Sequence, residues 1–91
     1  MVIYSFYLDL FYCYVEVRLF GHLRQLIPSD KGKGITKLEL EPKARVADVL
    51  DKLNLASTEP LLVLVNGVHA TLEKELSPGD VVSVFPPLGG G

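Results

Sequence analysis

Apolar and polar positions alternate along this chain in short runs separated by turn residues. Over residues 14–20, Val15, Val17 and Leu19 fall on one face, and Tyr14, Glu16, Arg18 and Phe20 on the other. That period of two is the signature of a half-buried strand. Gly21 breaks the run, and Leu23, Leu26 and Ile27 at helical spacing predict a short helical turn over residues 22–27. A polar loop over 28–34 (P-S-D-K-G-K-G) leads to a second alternating run at 35–41. There Thr36, Leu38 and Leu40 face inward, and Lys37, Glu39 and Glu41 face water. Two such strands joined by a polar loop predict a hairpin. Beyond Pro42, Val46, Val49, Leu50 and Leu53 fall at i, i+3, i+4 and i+7, one apolar stripe on a helix. No Ser, Thr or Asp stands at its start to cap it. Residues 61–65 form a continuous apolar run, which predicts a strand covered on both faces or at the sheet centre. Asn66-Gly67 marks a tight turn, residues 68–76 are irregular, and Ser77-Pro78-Gly79-Asp80 marks another turn. The last strand, 81–85, stops at Pro86-Pro87, because proline cannot donate to a ladder.

Strand, strand, helix, strand, turns, strand gives an α+β fold: a mixed sheet of four to five strands with one main helix on one face. This is the element order of the β-grasp, or ubiquitin-like, fold. With 91 residues there is room for one core, so residues 15–91 are read as a single domain ending in a flexible tail, 86–91.

Composition narrows the function. A formal charge of -2 and no Lys/Arg cluster argue against nucleic acid and against a polybasic membrane contact. Cys13 is the lone cysteine, which excludes an internal disulfide and a Cys-based metal site and suits a reducing cytoplasm. His22 and His69 have no third ligand at metal spacing, so no metal site is expected. Gly32-Lys33-Gly34 lacks the P-loop frame, and Asp48 and Asp51 lie on the wet side of the helix without a cleft. Nothing amounts to a self-sufficient active site, so the chain is not expected to be an enzyme by itself, nor to bind a cofactor.

Residues 1–14 stand apart, holding six of the eight aromatics: Tyr4, Phe6, Tyr7, Phe11, Tyr12 and Tyr14. No Lys or Arg precedes Arg18, unlike a signal peptide, and Asp9 and Glu16 interrupt a run too short to span a membrane. Two readings stand: an extension that lengthens the first strand and packs on a neighbouring copy, giving a homo-oligomer, or an extended or misassigned start that lies on its own domain.

The tail carries the chemistry. Pro86 and Pro87 hold the chain extended as it leaves the last strand, and Gly89, Gly90 and Gly91 carry no Cβ, so they fit a channel one backbone wide. Six residues from Pro86 reach roughly 20 Å at about 3.3–3.6 Å each, enough to bring a terminal carboxylate into a partner's active site. An ionised carboxylate is a poor acyl donor until activated, most simply by adenylation. The sequence given stops at Gly91 directly after this run, which is expected of a tail that presents its carboxylate.

Phe85-Pro86-Pro87-Leu88-Gly89-Gly90-Gly91 resembles the F-P-P-x-x-G-G terminus of the small subunit of molybdopterin synthase, the MoaD type of the MoaD/ThiS ubiquitin-like sulfur carriers. Leu19-Phe20-Gly21-His22-Leu23-Arg24-Gln25-Leu26 resembles that family's first strand and turn. Val65-Asn66-Gly67 and Ser77-Pro78-Gly79-Asp80-Val81-Val82 resemble its V-N-x and x-x-G-D-x-V segments. Gly89 stands where the family has a small side chain, and residues 1–14 have no counterpart there. The resemblance implies that Gly91, with Gly90 before it, is adenylated by a ubiquitin-activating-like adenylyltransferase that uses ATP, then converted to a thiocarboxylate. It further implies insertion into the molybdopterin synthase large subunit and sulfur transfer to a pyranopterin precursor.

Strand parity supplies a partner surface. Phe20 and Phe85 fall on the solvent face of their strands, Leu62 and Leu64 extend the patch, and His69 lies at its edge. With Pro86, Pro87, Leu88 and Gly89 these are the expected partner contacts. Carriers for thiamine thiazole, tRNA thiolation or cysteine synthesis, a ubiquitin-like modifier, and a β-grasp interaction module with an inert tail are the alternatives.

Overall fold

Alternating Val and Leu positions become the inner face of one sheet. The structure is a computed structural model that describes residues 13–27, 33–55 and 60–87. Its strands are β1 (Cys13–Leu19), β2 (Ile35–Leu40), β3 (Leu62–Val65), β4 (Val68–His69) and β5 (Val81–Phe85), with one α-helix, α1 (Val46–Lys52). They form a five-stranded mixed sheet in the order β2-β1-β5-β3-β4. β1 and β5 run parallel, and the remaining pairs are antiparallel. The hairpin expected between the first two strands is present, pairing Val15 with Leu38 and Val17 with Thr36. β1 opens at Cys13, one residue before the strand read from the alternation, so the sheet takes in the end of the 1–14 extension. Residues 1–12 lie outside the described part of the chain, and with them most of the expected packing segment.

The core sits between the sheet and α1. Val15, Val17 and Leu19 from β1, Val63 and Val65 from β3, and Val82 and Val84 from β5 meet Val46, Val49 and Leu50 of the helix. All ten are at most 4% exposed. β-branched side chains suit a pleated surface, and each buried Val or Leu contributes roughly 1.5–3 kcal/mol through removal from water.

Four sequence expectations change. Residues 62–65 are covered on one face only: Val63 and Val65 are buried, but Leu62 is 44% exposed, because α1 covers a single side of the sheet. The helical turn is a 3₁₀ turn, Gly21–Leu26, from which Leu23 and the following Ile27 enter the core while Leu26 stays 48% exposed. One short turn seats two side chains against the sheet and leaves the third outside. The irregular 68–76 stretch contains β4, whose Val65–Val68 pairing leaves Asn66-Gly67 as a two-residue hairpin loop. Both loop residues have positive φ, 52° and 84°, as that turn requires. Finally, α1 has a cap after all. The Asp48 carboxylate accepts the Arg45 backbone N–H at 2.7 Å, and the Val46 and Ala47 N–H groups donate to the carbonyls of Lys74 (2.9 Å) and Leu72 (3.0 Å). The donors that a helix leaves unpaired at its start are met by a distant segment.

Candidate functional site

Register brings the expected surface together at one end of the sheet. β1 and β5 align Leu19 with Val84, so the next residues, Phe20 and Phe85, emerge side by side on the face away from the helix. Their rings stack with centroids 4.3 Å apart and planes 9° from parallel. On the other side of β5, Leu62 pairs with Phe85, completing an apolar rung across three strands. The next rung runs from Arg18 through Ser83 and Leu64 to His69. Its side chains are polar at both margins. Phe20 is 37% exposed, Phe85 and Leu64 are half-buried, and His69 is exposed. All five expected side chains thus share one face, and the first rung stands where the tail departs.

Pro86 and Pro87 continue β5 past this rung, and with Pro60, Leu61, Leu62 and Phe85 they line a shallow, mostly apolar groove. Pro86 rests on Gly21. A Cβ on that glycine would come within 2.9 Å of the Pro86 Cγ, and its φ of 60° lies in the left-handed region. The Phe20 N–H donates to the Val84 carbonyl at 3.1 Å, locking the two strand ends together just before the proline. Gly21 is a neighbour of the strand exit that the sequence pattern marks only as a strand breaker. The signal available was a glycine directly after an exposed aromatic, but its partner lies sixty-five positions away, from 21 to 86. Leu88, Gly89, Gly90 and Gly91 lie outside the described residues.

The two internal segments that resemble the family have another task. Asn66 Nδ2 donates to Asp80 Oδ1 and Asn66 Oδ1 accepts the Val81 N–H, both at 2.9 Å. Asp80 Oδ2 accepts the Ser77 N–H at 2.8 Å. These bonds clasp the β3–β4 turn to the start of β5, at the end of that strand opposite the tail. They are architectural, since β5 keeps its register through them. Arg18 and Glu16 form an ion pair on the open face beside the patch. Among the described residues no group of three His, Cys, Asp or Glu could hold a metal ion, and no helix is long and apolar enough to cross a membrane.

The ThiS family matches residues 17–91. No curated protein sequence matches the chain. Among solved structures, small archaeal modifier protein 1 of Haloferax volcanii is 26% identical, with 84% of this chain and 99% of that chain covered and a TM-score of 0.69. A Pyrococcus furiosus protein assigned as molybdopterin converting factor subunit 1 is 30% identical, covering 84% and 99% of the two chains with a TM-score of 0.67. A chain in the complex of subunits 1 and 2 of molybdopterin-converting factor from Helicobacter pylori 26695 is 21% identical, with 86% and 99% covered and a TM-score of 0.52. That last likeness is one of fold alone. With the stacked exit of β5, the five-stranded mixed sheet and a match over most of its length, the chain belongs to the ThiS family, the MoaD/ThiS group of ubiquitin-like β-grasp sulfur carriers.

Proposed function

We propose that this chain carries sulfur on the carboxylate of Gly91 and delivers it, as the small subunit of molybdopterin synthase, to a pyranopterin precursor. The observation that carries the reading is the tail exit. The Phe20–Phe85 stack and the Gly21 seat under Pro86 hold the departing chain against an exposed apolar rung. A partner that grips the rung therefore receives the tail in a set direction. The Pyrococcus furiosus relative supports the pathway by its name, and the Helicobacter pylori complex supports a large-subunit partner by analogy of fold.

The chemistry follows from what a carboxylate lacks. A carboxylate oxygen of Gly91 attacks the α-phosphate of ATP held by an adenylyltransferase, releasing pyrophosphate and forming a mixed anhydride. A sulfur nucleophile on a partner then attacks the acyl carbon and AMP leaves. If that nucleophile is the terminal sulfur of a persulfide, the product is an acyl disulfide, and a thiol of the partner then attacks the donor's sulfur, releasing the thiocarboxylate on Gly91 and leaving a disulfide on the partner. The chain's own contribution is access: glycines in the tail present no Cβ to the enclosing enzyme. Catalytic groups come from the partners, and the reducing cytoplasm is the compartment that keeps such sulfur species intact.

A modifier role is the second reading, favoured by the small archaeal modifier protein among the similar structures. The same acyl-adenylate would then pass to a lysine amine instead of to sulfur. Intact mass spectrometry after incubation with ATP, a sulfur source and an adenylyltransferase from the same cell separates the two. The expected result is a gain equal to replacing one oxygen by sulfur, localised to Gly91 and abolished by one added residue after it. A lysine adduct on another protein in place of that gain would select the modifier, and no change with either would leave an interaction module.

A further inference from the structure

The sheet has two outer strands, and they differ in how they are protected. β4 is two residues long and offers almost no ladder. β2 runs six residues, with no proline until Pro42, and among the described residues no strand pairs along its outer side. Such an edge is a template for another strand unless its side chains forbid it.

Its backbone orientation follows from one bond. The Leu19 N–H donates to the Gly34 carbonyl at 2.6 Å, and the register sets those two residues opposite each other. Antiparallel strands alternate, so Thr36, Leu38 and Leu40 turn their backbone groups toward β1 while Lys37 and Glu39 turn theirs outward. A second antiparallel strand can hydrogen-bond here only if its own outward residues face these. For a second copy about a two-fold axis, three registers centre on this pair. One sets Lys37 against Lys37 and another sets Glu39 against Glu39, each opposing like charges within the strand; in the second, Lys37 also faces Glu41, which lies beyond the strand's end at Leu40. The third sets Lys37 against Glu39 twice, with the half-buried Leu38 meeting its own copy on the axis. Cross-strand pairs of opposite charge stabilise, and like charges directly opposite destabilise.

The geometry points to β2 as a self-pairing edge: two copies of this chain join antiparallel with Lys37 facing Glu39, making one continuous ten-stranded sheet. The interface is small, so the dimer is weak. It lies across the sheet from β3, leaving the Phe20–Phe85 rung and both tails open, and it does not depend on the sulfur-carrier reading.

Sedimentation velocity on the full chain over a wide concentration range tests this. The expected result is a sedimentation coefficient that rises with concentration. Lys37→Glu alone and Glu39→Lys alone each weaken association by about tenfold or more, the equivalent of ~1.4 kcal/mol. Mixing these two variants restores it, since every facing pair is again opposite in charge, and the double exchange Lys37→Glu/Glu39→Lys self-associates like the parent. A parent chain that stays monomeric throughout would overturn the proposal and leave Lys37 and Glu39 as guards of an unused edge. So would a dimer indifferent to these changes, whose contact then lies elsewhere, as in residues 1–14.

Discussion

Leu19 and Phe20 are neighbours in sequence and belong to opposite worlds in the fold. Leu19 points to the helix and is 1% exposed, while Phe20 points away, is 37% exposed and stacks on Phe85. The same contrast repeats along β3, where Val63 is buried and Leu62 is not, and along β5 between Val84 and Phe85. One face of the sheet carries the buried aliphatic side chains that form the core with α1. The other places large apolar groups in water, at the point where the tail leaves. An aromatic rung left this exposed gains only part of its possible burial within the domain, so the open face is where a partner's contribution is to be sought.

Substitutions on the two faces sharpen this contrast. Leu19→Ala removes a buried side chain from the centre of the core and is expected to cost roughly 2–5 kcal/mol of stability, read by chemical denaturation. A loss near zero would mean that the inner face is loosely packed and the contrast unsound. Phe85→Ala leaves the inner face intact. Its effect belongs in binding, about 2 kcal/mol or roughly thirtyfold in affinity for a molybdopterin synthase large subunit if it is a central anchor. Calorimetry measures it, and unchanged affinity with an intact fold would move the partner off this face. Gly21→Ala is the smallest and the most particular. Positive φ costs a residue with a Cβ about 1–2 kcal/mol, and Pro86 must shift as well. If the proline contact matters, Gly21→Ala slows acyl-adenylate formation in the parent but not in a Pro86→Ala background, where the Cγ is gone. An equal effect in both backgrounds would reduce Gly21 to a turn residue.

Much of the site was legible because strand parity is written locally. Alternation places Phe20 and Phe85 on the open face, while Leu62 and Leu64 come from a continuous apolar run and His69 from its place just past a turn; the register joins all five on one face. Parity could not say that Phe20 and Phe85 touch, since that depends on β1 and β5 running parallel side by side. Nor could it reveal Gly21 beneath Pro86. The clasp between Asn66 and Asp80 was noticed as a likeness of sequence and is explained only by hydrogen bonds between turns fourteen residues apart.

By itself the sequence determined which residues alternate, where turns fall and that prolines and then glycines follow the last strand. Each of these rests on the intrinsic geometry of a few adjacent residues. Only the tertiary structure decided the strand order, with β5 between β1 and β3. It alone leaves Leu26 outside while Ile27 is buried, and it supplies the carbonyls of Leu72 and Lys74 that receive the first N–H groups of α1. The reason is one of range: a backbone donor or an apolar side chain must be satisfied, but which distant group satisfies it is set by how the whole chain closes around its core.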